Sequence, residues 1–192
     1  MLKDLIIKNR SYRRFDPTVH VTMNELSEMG EAARLSGYGM NIQSTKYILI
    51  NDSKTCKLIT ENCVWAGYLT DWQGPAENEQ PSAYIMLLFD KTLKKQSQHS
   101  EGIAAQSILL TAVEMGYGGC IIGSCKRQAL MEALAIDAER YEIAFVIALG
   151  KPAETVILEE SADDIKYYRD ENGCHHVPKR PLNELIIRKI GE

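Results

Sequence analysis

The strongest constraint on the fold is a run of seven apolar residues, "AYIMLLF", from Ala83 to Phe89. A short run that is apolar on both faces predicts a fully buried strand, and it is far too short to span a bilayer. Two further strand patterns, "KYILIND" and "YEIAFVIALGKP", lie before and after it. A largely apolar helical stretch, 101–116, separates the last two strands, so the sequence predicts an α/β or α+β sandwich.

Weaker patterns predict the remaining elements. A helix is expected over 2–8, and a second helix begins after Thr22, where Glu25 has the spacing of a capping box, and runs to about Leu35. Helices are also predicted over 54–70 and 126–136, a glycine-edged segment over 117–124, and a turn over 171–173. The chain ends in an amphipathic helix or strand arm, of a kind that often docks on a partner subunit. We expect a single domain over 1–192.

The charge balance narrows the classes of partner. The formal net charge of -4 lacks the basic excess expected of a protein that binds nucleic acid or an anionic membrane. The first residues carry charge among their apolar positions and no small-residue cleavage pattern, so no leader is predicted. Five irregularly spaced cysteines favour reduced thiols over a disulfide framework. The expected location is the cytoplasm.

The segment "NRSYRRF", from Asn9 to Phe15, places three arginines and a serine in one loop. Arginine forms bidentate hydrogen bonds with phosphate, and the serine hydroxyl adds a donor, so the loop has the composition of a phosphate-binding site. The alternative is a solvated loop whose arginines pair with surface carboxylates. Composition alone favours this alternative.

The segment "GYGGCIIGS" presents Gly118, Gly119 and Gly123. Glycines let the backbone approach a flat ligand closely, but they also form tight turns between a helix and a strand. The spacing is not that of a dinucleotide-binding fingerprint, and the segment follows a helix instead of a strand. Both interpretations stay open on the sequence.

The stretch around the "DWQGP" loop is aromatic and acidic. Trp65, Tyr68 and Trp72 are candidates for an aromatic wall over a flat ligand, or for core residues one helical turn apart. The loop over 71–82 carries Asp71, Glu77 and Glu79, and it is a candidate substrate lid, a partner surface or an ordinary solvated loop.

Motifs of hydrolytic and metal chemistry are missing from the sequence. It contains no G-x-S-x-G, H-E-x-x-H or P-loop pattern. Cys174, His175 and His176 are adjacent and not at zinc-ligand spacing, so we expect no metal.

Taken in order, the segments resemble those of the nitroreductase family of FMN-dependent oxidoreductases. "NRSYRRF" is similar to its arginine-serine signature, and "ARLSGYGMNIQSTKYILI" to its N-x-Q block. "EGIAAQSILLTAVEMGYGGCIIGS" is similar to the central helix and glycine turn, "IALGKPAE" to the late strand, and "KRPLNELI" to the basic-proline element. Many members have Pro-Ser and Pro-Trp where this chain has Gly37-Tyr38 and Ser44-Thr45, and a second arginine where it has Asn9.

The resemblance implies an α+β fold, a three-layer sandwich with a mainly antiparallel central sheet, assembled as an intertwined homodimer. It implies FMN at the subunit interface, and hydride transfer from NADH or NADPH through flavin N5 to a small organic acceptor, such as a nitroaromatic or a quinone, by a ping-pong mechanism. No side chain is expected to act as a nucleophile. The alternatives are a non-enzymatic flavin-binding or interaction protein of the same fold and, least favoured by the charge balance, a nucleic-acid-binding module.

The resemblance also implies a set of cofactor-binding residues. Arg13 is the candidate for stabilising the reduced flavin, and basic residues from both ends of the chain are the candidates for the phosphate. The set comprises Arg10, Ser11, Arg13, Asn41, Gln43, Gly123, Lys179 and Arg180.

Overall fold

The computed structural model of the chain describes residues 1–93 and 99–191. These residues form helices and strands of mixed order. The helices are α1 (Leu2–Lys8), α2 (Met23–Arg34), α3 (Ser53–Asn62), α4 (Ser100–Glu114), α5 (Arg127–Ala133) and α6 (Leu182–Leu185). The strands are β1 (Phe15–Asp16), β2 (Thr45–Ile50), β3 (Ala83–Asp90), β4 (Gly118–Ile122), β5 (Tyr141–Pro152), β6 (Val156–Glu160), β7 (Tyr168–Arg169) and β8 (His175–Lys179).

All pairings between the strands of the central sheet are antiparallel. β5 pairs with β3 on one side, and with β4 and the short β1 on the other, while β2 pairs with β3. Every residue of β3 is buried, as the unbroken run "AYIMLLF" predicts. The strands predicted over the three apolar runs are confirmed.

Helices cover both faces of this sheet. On one face α2 and α4 pack against alternate residues of β3 and β5 in a core that includes Leu26, Ile85, Ile108 and Ile147. On the other face α3 is tied to the sheet by a hydrogen bond of 2.7 Å between the hydroxyls of Thr60 and Tyr84. The predicted α+β sandwich of three layers is confirmed.

A capping box formed by Thr22 and Glu25 determines where α2 begins. The Thr22 hydroxyl accepts from the Glu25 amide at 3.2 Å, and the Glu25 carboxylate accepts from the Thr22 amide at 2.8 Å. The reciprocal capping box satisfies two amides of the first turn, as the spacing predicts.

The predicted helix over 54–70 is wrong beyond Asn62. Cys63 is extended, and the amide of Val64 donates to the Ser124 carbonyl at 2.8 Å instead of to its own helix. The apolar spacing over 58–67 fits a helix, but the Val64 amide finds its hydrogen-bond partner in a distant segment of the same chain. Trp65 is buried and Tyr68 exposed, so they do not share one core-facing helical surface.

The chain divides into two compact units. The first comprises Met1–Trp65 and Gln73–Ala153, and contains the central sheet. The second comprises Ala66–Trp72 and Glu154–Glu192, and contains a three-stranded sheet in which β8 lies parallel to β6 and antiparallel to β7.

Charged and aromatic contacts hold the second unit. His176 lies between two carboxylates, with Nδ1 at 2.5 Å from Glu159 and Nε2 at 3.3 Å from Asp170, and these raise its pKa. The Tyr168 ring stacks on the His176 ring at 4.6 Å. The guanidinium of Arg169 lies over the Trp72 ring at 4.3 Å, so Trp72 packs within this unit. Among the described residues no helix is long and apolar enough to cross a membrane.

Candidate functional site

The arginine loop lies against the glycine strand β4. Ser11 forms a parallel bridge with Gly119, and the Tyr12 amide donates to the Gly119 carbonyl at 3.0 Å. At the end of the loop, Phe15 is fully buried and packs on Gly150, where a Cβ atom would lie 2.9 Å from the ring. Two segments that are distant in sequence therefore form one edge of the sheet.

The three arginines of the loop have different surroundings. Arg14 donates to the Glu79 carboxylate at 2.8 Å, so it forms the partly buried ion pair that composition favours. Arg13 donates through Nη1 to the Ser11 carbonyl at 3.1 Å, next to the exposed Ser11 side chain.

Arg10 makes no ion pair with a carboxylate of the described residues. Its Nη2 donates to the Ile6 carbonyl at 2.6 Å, and its buried Nε has no hydrogen-bond acceptor. Burial lowers its pKa, because desolvation disfavours the charged form. A half-buried cation with an unsatisfied donor is the arrangement expected of an anion-binding residue.

The glycines of β4 have a packing role. A Cβ on Gly118 would lie 2.5 Å from the Tyr12 ring, and one on Gly119 would lie 2.4 Å from the Ala148 carbonyl. Of the two interpretations left open by the sequence, a tight turn over 118–122 is not formed, because these residues are a paired strand. A Cβ on Gly123 would meet no atom within 4 Å, and the Gly123 carbonyl accepts from Arg127 at 2.8 Å. Gly123 follows the strand end and is exposed.

Asn41 and Gln43 lie in a strained turn before β2. Met40, Asn41 and Gln43 have φ of 53°, 54° and 53°, a region that non-glycine residues seldom adopt. The Gln43 amide donates to the Asn41 side chain at 3.1 Å. Strain at several positions of one loop is typical of functional loops.

Gln43 lines a cavity of about 540 Å³ between α2 and β2. Within it the hydroxyls of Tyr38 and Tyr47 lie 2.7 Å apart, and burial raises the pKa of Tyr47 strongly. The lining combines charged, aromatic and small side chains. It comprises Ser27, Gly30, Glu31, Arg34, Tyr38, Gln43, Thr45, Lys46, Tyr47 and Leu49.

A second cavity, of about 570 Å³, lies along α4 next to the arginine loop. Its lining residue Gln106 accepts from the Asn9 side chain at 3.5 Å, and Asn9 directly precedes Arg10. This side of the cavity is not predicted from the sequence, although four of its residues have the spacing of one helix face: His99, Gly102, Ile103 and Gln106. The full lining is His99, Gly102, Ile103, Gln106, Ser107 and Phe145.

Of the predicted residues, Gln43 lines the first cavity, and the arginine loop contacts the lining of the second only through Asn9 and Gln106. β2 and β4 have β3 and β5 between them, and the Ser11 segment lies outside β4. Four strand spacings of about 4.8 Å separate these edges by about 19 Å. One chain thus does not bring Asn41 or Gln43 to the arginine loop.

Lys179 and Arg180 end β8 in the second unit. Arg180 donates to the Ala162 carbonyl and to the Glu184 carboxylate, both at 3.2 Å. Lys179 is exposed and makes no ion pair with a described carboxylate.

The acidic loop over 71–82 is attached to the first unit from residue 73 onward. Glu79 pairs with Arg14, and Glu77 accepts from Lys57 at 3.3 Å. A Cβ on Gly74 would lie 2.8 Å from the Trp65 ring, so the loop packs on a buried tryptophan. These contacts fix the loop at three points.

The antiparallel sheet between two helical layers is the α+β fold of solved nitroreductases on which the chain superposes. The family model described as "Nitroreductase family" matches residues 90–151, which include α4, β4, α5 and most of β5. These findings confirm the resemblance that the sequence carries.

Three known proteins illustrate the likeness. Protein DrgA of Synechocystis sp. is 25% identical over 79% of this chain and 84% of its own length. YdgI of Bacillus subtilis, named as an NAD(P)H nitroreductase, is 20% identical over 76% of this chain and 85% of its own. A structure from Desulfovibrio desulfuricans, described as a nitroreductase in complex with FMN, superposes with a TM-score of 0.73 at 23% identity, covering 100% of this chain and 98% of that one.

Proposed function

We propose that the chain is an FMN-dependent oxidoreductase that passes hydride from NADH or NADPH to a small organic acceptor. The observation that carries the proposal is Arg10, whose half-buried guanidinium has an Nε without an acceptor. The preceding residue, Asn9, donates to Gln106 in the lining of a ligand-sized cavity. The fold of the nitroreductase family supports the oxidoreductase class, and the FMN-bound relative supports the identity of the cofactor.

The donors around Arg10 fit the phosphate of FMN. Arg10 offers Nε, and Ser11 adds an exposed hydroxyl one residue on. A phosphate dianion satisfies several such donors at once, and charge-assisted bonds of this kind are about twice as strong as neutral ones. Lys179 is the candidate for a further cationic contact, whereas Arg180 and Arg14 are already paired with carboxylates.

Arg13 is the residue proposed to stabilise negative charge on the ring. When bound, FMN supplies the two-electron chemistry, and the chain supplies position and electrostatics. Arg13 directly follows Tyr12, which is hydrogen-bonded to Gly119 of β4. Gly123 offers exposed backbone just after the end of β4. In this proposal no side chain acts as a nucleophile.

We propose that the complete site forms between two copies of the chain. Asn41 and Gln43 lie at the β2 edge, and the arginine loop lies on the β4 edge of the same sheet, at least about 19 Å away. A two-fold dimer places the same surfaces of two chains in reciprocal contact, so each β2 turn can complete the partner's arginine loop. This supports the homodimer that the resemblance implies.

The acceptor and the nicotinamide are proposed from the names of relatives. The name of YdgI supports NADH or NADPH as the hydride donor. Nitroaromatics and quinones are flat electron acceptors that can stack on the flavin ring. The two open cavities described above allow a flat molecule to enter.

The proposal is tested by adding FMN to flavin-free protein. We expect quenching of FMN fluorescence on binding and a rise in melting temperature, followed by NADH or NADPH oxidation when a quinone or a nitroaromatic is supplied. Protein that neither quenches FMN fluorescence nor gains thermal stability with FMN contradicts the proposal.

One observation favours a second candidate, a flavin-binding protein without turnover. Gln43 donates to Asn41 within the strained turn, so the two amides are engaged with each other. In that case FMN binds, but added NADH and NADPH leave it oxidised. Turnover distinguishes this candidate from the proposed enzyme.

A further inference from the structure

Two cysteines of the first unit face each other across a short piece of antiparallel pairing. Cys63 directly follows α3, and Cys125 lies between β4 and α5. The two residues form an isolated antiparallel bridge. Both are half-buried free thiols.

The hydrogen bonds around the bridge define its geometry. The Val64 amide donates to the Ser124 carbonyl at 2.8 Å, and the Lys126 amide donates to the Asn62 carbonyl at 2.8 Å. The bonds therefore flank the pair, and Cys63 and Cys125 make none with each other. This is the non-hydrogen-bonded position of an antiparallel ladder, where the Cα atoms lie about 4.5 Å apart and both side chains are on one face.

This spacing suits a disulfide. The Cα atoms of a disulfide lie about 4.4–6.8 Å apart, so the backbone at this bridge is already within range. We propose that Cys63 and Cys125 are an oxidation site that forms an intramolecular disulfide on reaction with a low-molecular-weight disulfide such as glutathione disulfide.

The exchange balances in two steps. The thiolate of one cysteine attacks a sulfur of glutathione disulfide, breaks its S–S bond and releases one glutathione thiolate, which leaves a mixed disulfide. The thiolate of the other cysteine then attacks the protein sulfur and releases the second glutathione. Two protein thiols are oxidised, one molecule of glutathione disulfide is reduced to two thiols, and the two protons go to the released glutathione.

The surroundings assign the order of attack. Burial raises the pKa of Cys63 to about 12, and it raises that of Cys125 while the nearby Arg127 charge opposes the shift. Cys125 therefore reaches the thiolate form more readily and attacks first, and Cys63 resolves the mixed disulfide. The oxidation is slow compared with that of an exposed thiol.

The other cysteines are less suited to this reaction. Cys56 and Cys120 are buried, with 5% and 3% of their surface exposed, and Cys174 belongs to the second unit. Cys120 lies within electrostatic range of Cys63, so it is the competing partner that the experiment must separate.

The disulfide would link the segment that follows Gly123 covalently to the end of α3. Cys125 is two residues beyond Gly123, and Arg127 holds the Gly123 carbonyl. The new bond joins this segment to the end of α3 and closes a loop of roughly 60 residues, which restricts the unfolded chain. The site is independent of the proposed function, because its formation requires no flavin.

The test incubates the reduced full-length protein with glutathione disulfide and follows intact mass and peptide maps. We expect the loss of two hydrogen atoms, a linked peptide that contains Cys63 and Cys125, and a higher melting temperature. C63S and C125S should abolish the linked peptide, whereas C120S and C174S should retain it. An unchanged mass, a glutathione adduct that persists on Cys125, or a link to Cys120 would overturn the proposal.

Discussion

At the scale of single residues, the three arginines of one loop divide between structure and ligand binding. Arg14 is held by Glu79, and Arg10 retains an unsatisfied buried Nε. Composition identifies the loop as basic but cannot make this division, because it depends on Glu79, which is 65 residues away along the chain. The proposed phosphate role therefore falls chiefly to Arg10.

Replacement of Arg10 tests that division. We expect R10A to weaken FMN binding by between about 10-fold and 100-fold, because a hydrogen bond to a charged group contributes roughly 1.5–3 kcal/mol. R10A combined with K179A should weaken it further. Titration of FMN fluorescence measures the affinities, with R14A as the matched control and a smaller expected effect. Equal losses in R10A and R14A would contradict the assignment.

The Asp90 carboxylate makes the stability of the fold depend on pH under acidic conditions. Its Oδ1 accepts from the Thr92 hydroxyl at 2.6 Å and its Oδ2 from Arg140 at 3.0 Å, and these bonds lower its pKa from 3.8 to about 2. Since the folded pKa is below the unfolded one, the stabilisation is present above pH 3.8 and is lost as the pH falls towards 2.

The D90N variant isolates this contribution. We expect it to melt at a lower temperature than the wild type at neutral pH, and the difference to shrink as the pH falls through the window from about 4 to 2. Thermal unfolding over this range measures it, with D71N as the exposed control. A difference between D90N and wild type that stays constant down to pH 2 would count against the Asp90 contacts.

At the scale of elements, the helices and strands that are predicted correctly are those with the strongest apolar or capping pattern. β3 and β5 are predicted because their apolar runs are buried in the sheet, and α2 because its cap is local. β4 and β6 to β8 are missed, since glycine hides the strand propensity of β4 and the others have only two to five residues each. The overlong α3 fails because Val64 finds its partner at Ser124, a contact that no local pattern encodes.

The close approach at Gly119 gives an element-scale prediction. In G119A the new Cβ would meet the Ala148 carbonyl and the Leu109 side chain, at 2.4 and 2.7 Å. We expect a loss of about 1–3 kcal/mol in the free energy of unfolding, as for other overpacked sites. G123A, where nothing lies within 4 Å, should stay within about 0.5 kcal/mol of wild type. Denaturant titration measures both, and equal stabilities would show that β4 is packed more loosely.

At the scale of the whole molecule, the predicted site residues of the first unit are divided between two edges of its sheet. The family resemblance identified them as a set, and Arg10 with Ser11 does lie against β4. Asn41 and Gln43 do not join them within one chain, because β3 and β5 lie between. A single sequence cannot show this separation, because it depends on the order of the strands in the sheet.

A mixed dimer of R10A and N41A chains tests the proposed sharing. If each site combines one chain's loop with the other's turn, one site carries both changes and the other carries neither. We therefore expect about one tightly bound FMN per mixed dimer, while each variant alone binds weakly. Isolation with two different affinity tags, followed by flavin titration, gives the stoichiometry. Two equally weakened sites would place the residues in the same chain's site.

The central claim is that this chain binds FMN and uses it for electron transfer. The most direct test is anaerobic rapid mixing of the FMN-loaded protein with NADH, and separately with NADPH, while the visible absorbance of the flavin is recorded. We predict rapid bleaching with at least one nicotinamide and recovery when a quinone is added. Bound FMN that keeps its oxidised spectrum with both nicotinamides would contradict it.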